Sequence, residues 1–190
     1  MTNDSGFVTS AYVQYQKTKW RDWFSTEEYD GLKFTAEEAN STVKMIKSGT
    51  PPDVSLEYST DMGMSWSDFI VGETTVTLPN VGSAMFIRAK TTNARFAYNT
   101  SNYNKFILTG KVAASGSIMY LLKSDGDSTT ALTNYCFASL FASQNALTTS
   151  PDFPALTLAP YCYQYMFNWC TGLVKAADIL PAMTLAEGCY

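Results

Sequence analysis

The chain has 190 residues, 46% of them hydrophobic and 16% charged, with 12 Tyr, 11 Phe and 4 Trp; this is ample apolar material for a core and excludes wholesale disorder. A net charge of −4 without any Lys/Arg cluster offers a phosphate backbone no electrostatic footprint, so nucleic-acid binding is set aside. No His is present, which removes the commonest general base and metal ligand together with Ser-His-Asp, Cys-His and HExxH arrangements.

The first ten residues, from Met1, lack the basic start and apolar run of a secretory signal, and no stretch approaches the ~18 apolar residues of a spanning helix. The expectation is a chain that does not use general secretion and does not insert into a membrane. Residues 1–30 read as an N-terminal arm in which Trp20, Trp23 and Phe24 stand at i, i+3, i+4 and can form one docked helical turn. Two readings stay open: an extension packed on its own domain, or an arm that docks on a partner or a second subunit.

From 31 to 110 the signals are short strands at roughly 8–12-residue spacing, as in a sandwich of about seven strands. Leu32–Ala36, Val54–Tyr58 and Thr74–Leu78 alternate apolar and polar; Ser41–Lys47, Ser65–Val71, Ala84–Lys90 and Tyr103–Thr109 are further candidates, bounded by turn residues. Pro51-Pro52 and Pro79-Asn-Val-Gly82 cannot donate to a ladder throughout and belong to connections.

Beyond Gly110, over 111–190, the chain repeats itself. A shift of 26 residues carries Cys136 onto Cys162, Phe141 onto Phe167 and Leu147 onto Leu173, and a shift of 27 carries Cys162 onto Cys189. Within a unit Leu158, Cys162, Met166 and Cys170 lie four apart, which predicts a short helix; the stretch Thr171–Pro181 has the spaced aliphatics of an extended segment. A short helix plus strand of about 26 residues predicts the start of a leucine-rich-repeat solenoid, incomplete at position 190. The predicted fold class is therefore mainly β: a sandwich followed by stacked repeats.

Few residues suggest chemistry. Cys136, Cys162 and Cys189 occupy one repeat phase and predict a ladder of buried thiols, flanked by Phe141, Phe167, Leu147 and Leu173; disulfide and zinc readings fit the spacing less well. Ser59, Asp61, Gly63 and Trp66 match the Asp-box pattern, with Ser65 in place of Thr, which predicts a hairpin turn with Trp66 in the core and, alternatively, a glycan-contacting loop. Lys123–Thr129 lacks the later acidic ligands of a calcium loop and reads as the turn opening the first repeat, near a helix N-cap. Glu27-Glu28 and Glu37-Glu38 point apart rather than across a substrate. No catalytic residue, cofactor or metal site is predicted.

Residues 153–173, with the pattern Leu-Pro-Ala-x-Thr-Leu-Ala-x-x-Cys-Tyr-x-x-Met-Phe-x-x-Cys-Thr-x-Leu restarting at Leu180, resemble the BspA-like leucine-rich repeat of gut Bacteroidales surface proteins and their phages; Phe153 replaces the first Leu, and Gln144 the second Cys of the preceding unit. Upstream, Phe34-Thr-Ala-Glu-Glu, Val54-Ser-Leu-Glu-Tyr-Ser-Thr-Asp and Ser101-Asn-Tyr-Asn-Lys-Phe are similar to the immunoglobulin-like module found before such repeats. The resemblance implies no conserved reaction, hence no enzyme, and attachment or recognition instead. With no export signal, the expectation is a phage virion protein, a head or tail fibre or decoration subunit on the virion surface. It would attach to other virion proteins through 1–30 and present its repeats to a host cell-surface protein or glycan, as a homo-oligomer, a trimer by analogy with viral fibres. The alternatives are a bacterial cell-surface adhesin and a carbohydrate-binding module.

Overall fold

A computed structural model describes residues 31–178 and 180–190. The seven strands expected between 31 and 110 all form, with ends moved by no more than two residues: β1 (Leu32–Ala36), β2 (Ser41–Ser48), β3 (Leu56–Ser59), β4 (Ser67–Phe69), β5 (Thr75–Leu78), β6 (Ala84–Ala89) and β7 (Tyr103–Thr109). Two more follow, β8 (Val112–Ser115) and β9 (Leu147–Thr149). The chain is mainly β, in two sheets, ordered β4-β3-β6-β1-β8-β9 and β5-β2-β7. All the pairings are antiparallel except β8 with β9, which is parallel.

Alternation explains why these segments become strands. In β1 and β7 every second residue is fully or nearly buried (Leu32, Phe34, Ala36; Asn104, Phe106, Leu108), while Lys33, Thr35 and Lys105 face outward. The faces of the two sheets meet through aromatic contact, with Phe34 of β1 edge-on to Phe106 of β7 at a centroid distance of 4.9 Å. Asn104 is buried among these residues and satisfied in part by donating to the carbonyls of Pro52 and Phe96.

The helix expected in each repeat does not form. Among the described residues there is no α-helix, only one 3-10 turn, Ile118–Leu121, capped by the Ser117 hydroxyl. Residues 133–144 and 159–170 instead form ribbons of consecutive tight turns, each closed by an N–H to the carbonyl three residues back: Cys136 to Thr133, Ala138 to Tyr135, Leu140 to Phe137 and Ala142 to Ser139 in the first. Every fourth residue takes a left-handed backbone, namely Tyr135, Ser139 and Ser143, then Tyr161, Tyr165 and Trp169. A period of four imitates a helical face, but four α-helical residues overshoot one turn by ~40°, whereas the ribbon returns to the same side every four. Aromatic residues and Cys are also indifferent helix formers, so local propensity did not oppose the ribbon. Ser128, Thr129 and Thr130 accordingly cap no helix; the loop is held by Asp127, which accepts from Thr129 and Thr130. The strand half of the unit does appear, as β9 and as a parallel bridge from Thr149 to Lys175.

Stacking follows a strict hydrogen-bond rule. In the first ribbon the even residues donate within the ribbon, and the odd ones donate to the next: Tyr135, Phe137, Ser139, Phe141 and Ser143 N–H bond the carbonyls of Pro160, Cys162, Gln164, Met166 and Asn168 at 2.7–3.2 Å. On its other side the first ribbon accepts, with Phe96 N–H on the Cys136 carbonyl and Phe106 N–H on that of Leu140. Gln144 completes this seam: its Oε1 accepts from Leu108 N–H at 2.8 Å, covering the free edge of β7. The position filled by Cys170 one unit later, where the thiol donates to the Phe141 carbonyl, is thus Gln where a ribbon meets the sheet.

The sandwich and the ribbons share one buried cluster, running from Leu32 and Phe34 through Phe106 and Phe141 to Cys162, Met166 and Cys189. Strand β8, which lies past position 110, pairs with β1 inside the six-stranded sheet. Trp20, Trp23 and Phe24 lie outside the described residues.

Candidate interaction surface

Three ladders of rings run through the stack, because in-register coils place equivalent side chains one above another. Phe106, Phe141 and Phe167 are stacked at 5.2 and 5.7 Å; Phe96, Phe137, Tyr163 and Tyr190 at 5.7, 5.8 and 5.6 Å; and Tyr135 over Tyr161 at 5.0 Å. The first two ladders begin on or beside the sandwich and end at Phe167 and Tyr190; the third begins in the first ribbon and ends at Tyr161, against whose ring Gly188 packs. The 26-residue shift carries the second and third ladders in plain view, since it maps Phe137 onto Tyr163 and Tyr135 onto Tyr161.

Cys136, Cys162 and Cys189 are buried free thiols in equivalent places. Burial pushes the Cys136 thiol up to about 12 and that of Cys162 up to about 11. Leu147, paired with Val112 of β8, is fully buried, and Leu173 is half-buried, one unit farther from the sandwich. Among the described residues no group of three or more Cys, Asp or Glu is placed to hold a metal ion. No described helix is long and apolar enough to cross a membrane.

The Asp-box residues do form a turn between β3 and β4. Ser59 Oγ donates to Asp61 Oδ1 at 2.6 Å and accepts from Gly63 N–H at 2.8 Å; Asp61 in turn accepts from the Ser65 amide and hydroxyl at 2.9 and 2.6 Å. These bonds to its charged form, first Ser59 and then Ser65, hold the Asp61 carboxyl down at about 2. Gly63 has a φ of +85°, the left-handed conformation the turn requires. Trp66 departs from expectation: it is half-buried and lies on the outside of the six-stranded sheet, not in the core. Its ring is covered by the Arg88 guanidinium, 3.7 Å from a ring centroid, and Arg88 is held there by Glu57 at 2.7 Å. The register explains this, since Tyr58 pairs with Ser67 and Glu57 with Arg88, so the outward row of β3 and β6 is polar beside Trp66.

The far end of the stack carries an apolar opening. A cavity of about 450 Å³ is lined by Phe153, Tyr163, Met166, Phe167, Ala177 and Leu180, among others. Of its lining residues Tyr165 and Leu180 are more than half exposed, apolar surface of the kind that marks contact sites. Ser150 and Tyr163, both lining residues, have buried hydroxyls without a hydrogen-bond partner among the described residues, and burial raises the Tyr163 hydroxyl well above its ordinary value.

No family model, no curated protein and no solved structure matches this chain.

Proposed function

We propose that the protein is a non-enzymatic structural or adhesive component of a phage particle, a fibre or decoration subunit held by its N-terminal 30 residues. The observation that carries this reading is the uninterrupted buried stack from the sandwich to the exposed end face, in which Phe34, Phe106, Phe141 and Phe167 lie in one line of ring contacts. Such a stack holds a recognition surface rigidly at a set distance from its attachment point. The likeness of residues 31–110 to immunoglobulin-like modules, and of 111–190 to BspA-like leucine-rich repeats, supports the same reading from sequence and makes two units of the chain. The ribbons of turns described above stand where those repeats are expected to carry helices.

A bacterial cell-surface adhesin is the alternative, and a genomic neighbourhood of capsid and tail genes separates the two. A chain lacking residues 1–30 should remain folded yet fail to enter particles; normal incorporation of that truncated form would defeat the proposal. One observation favours a glycan-binding role beside this: Trp66 lies on the sheet surface with Arg88 and Glu57 rather than in the core. Binding to a glycan array that disappears in Trp66→Ala would establish it. Oligomeric state, for which a trimer is proposed, is read from the mass of the intact particle component.

A further inference from the structure

The three-stranded sheet turns every second residue away from the core, and the face those residues form holds no carboxylate. Val43 and Met45 of β2, Phe106 and Leu108 of β7, and Val76 and Leu78 of β5 are buried, so the residues between them point outward. Register sets these outward residues in rows across the strands. Thr77, Thr42 and Thr109 make one row, with the hydroxyls of Thr42 and Thr109 bonded at 2.7 Å; Lys44 lies beside Ile107 in the next, and Ile46 beside Lys105 in the one after. No Asp or Glu occurs anywhere along β2, β5 or β7.

This stands out in a chain of net charge −4. Lys47, Arg88, Lys90, Lys123 and Lys175 each meet a carboxylate at 2.5–3.6 Å, whereas Lys44 and Lys105 have no carboxylate partner among the described residues. Because they are diagonal neighbours across β2 and β7, their Cα atoms are ~7–8 Å apart, and one chain of negative charges can meet both.

We infer that the outer face of the three-stranded sheet binds an anionic glycan, a chain of carboxylated or sulfated sugars lying across β2 and β7. Its acid groups meet the ammonium groups of Lys44 and Lys105, its hydroxyls meet the threonine row, and the C–H faces of its rings rest on Ile46 and Ile107.

The chemistry of the face selects this occupant. Two unpaired cations call for negative charge, which excludes a second copy of this chain docked by the same face, since lysine would then oppose lysine. A nucleic acid needs many more phosphate contacts than two lysines supply, on a chain whose net charge repels it. Protein partners are gripped by Trp, Tyr and Arg anchors, with Lys depleted and Thr under-represented at the energetic centre, whereas the middle of this face is Lys, Thr and Ile. Each threonine hydroxyl both donates and accepts, as each sugar hydroxyl does. The site is separate from Trp66, which lies on the outside of the other sheet, and it depends neither on the glycan role proposed for that residue nor on the virion reading.

The test titrates the full chain at low salt with three hexasaccharides, one of uronic acids, one sulfated and one neutral, and follows amide shifts by NMR. Either acidic hexasaccharide should move Thr42, Lys44, Ile107 and Thr109, and the tighter of the two tells carboxylate from sulfate. Lys44→Gln and Lys105→Gln should each weaken binding roughly tenfold, the loss expected for one charge-assisted contact. Lys175→Gln, which removes an equal charge from an exposed position in the repeats, should leave binding unchanged, as should Trp66→Ala. Equal binding of the neutral sugar, equal loss from Lys175→Gln, or loss of binding in Trp66→Ala would overturn the inference. So would the absence of shifts at these four residues with either acidic sugar at millimolar concentration, and shifts there with hexaglutamate alone would assign the face to an acidic protein instead.

Discussion

Phe141 is the central rung of the ladder joining the sandwich to the ribbons, and replacing it with Ala tests whether the stack is one cooperative body. The ring is fully buried, 5.2 Å from Phe106, 5.7 Å from Phe167 and 6.2 Å from Phe34. Phe→Ala at a buried site costs ~3–5 kcal/mol, and the two flanking stacks place this one toward the upper end. Phe167 is stacked on one side only, by Phe141, meets Phe153 edge-on at 5.8 Å and is half-buried, so Phe167→Ala should cost about half as much, ~2 kcal/mol. With a urea slope of ~2–3 kcal/mol per molar, Phe141→Ala lowers the unfolding midpoint by roughly 1.5 M and Phe167→Ala by roughly 0.7 M. Far-ultraviolet circular dichroism and Trp fluorescence should report a single coincident transition in both. Equal losses from the two variants would refute the reasoning, as would a Phe141→Ala loss below about 1 kcal/mol, because the ladder would then not transmit packing from sandwich to ribbon.

Other outcomes follow from the same geometry. Cys162→Ser puts a hydroxyl into a buried apolar slot and should destabilise by ~1–3 kcal/mol; in the native chain Cys170, only half-buried, should react with an alkylating reagent before Cys136, Cys162 or Cys189, and full native alkylation of Cys162 would contradict its burial. Because the folded thiols of Cys136 and Cys162 titrate near 12 and 11 against an ordinary 9.0, the fold favours their protonated form, so stability is intact below pH 9 and declines as pH rises from there toward 11 and 12; calorimetric midpoints across pH 8–11 check this. Asp61 runs the other way: with its carboxyl held at about 2 against 3.8, its contribution is present above pH 3.8 and is lost as pH falls through 2, and a carboxyl carbon titrating by NMR near 3.8 would remove the turn network as its cause. Ser143 is exposed with a φ of +61°, so Ser143→Val should destabilise by ~1–2 kcal/mol through backbone strain alone, while Ser143→Gly should not; equal denaturation midpoints for the two would argue against the ribbon.

The strands were legible because one face of each is buried, and burial on one face writes itself as alternation: Leu32, Phe34 and Ala36 differ from Lys33 and Thr35 in a way any reader of the sequence sees. The repeat was legible too, since stacked coils place Cys136, Cys162 and Cys189 in like surroundings. What misled was conformation inside the repeat. A four-residue period resembles a helical face, and nothing in Tyr161, Tyr165 or Trp169 announces a left-handed backbone, a conformation usually given to Gly or Asn. Trp66 departs from the core position its motif suggests because its surface setting depends on pairing between β3 and β6, which brings up Arg88 from 22 residues away in sequence. The donor row of the first ribbon was beyond reach for another reason: every non-proline residue has the same N–H, and only the direction of the ribbon decides which of them face the next unit.

The ribbon geometry also determines what more sequence would do for this molecule. Rings in neighbouring units lie 5.0–5.8 Å apart, so a unit of 26 residues that could span ~90 Å as extended chain adds only one such layer of height. Duplicating units would thicken the protein slowly and enlarge its flanks quickly, giving variation mostly a wider wall to work on rather than a longer stalk.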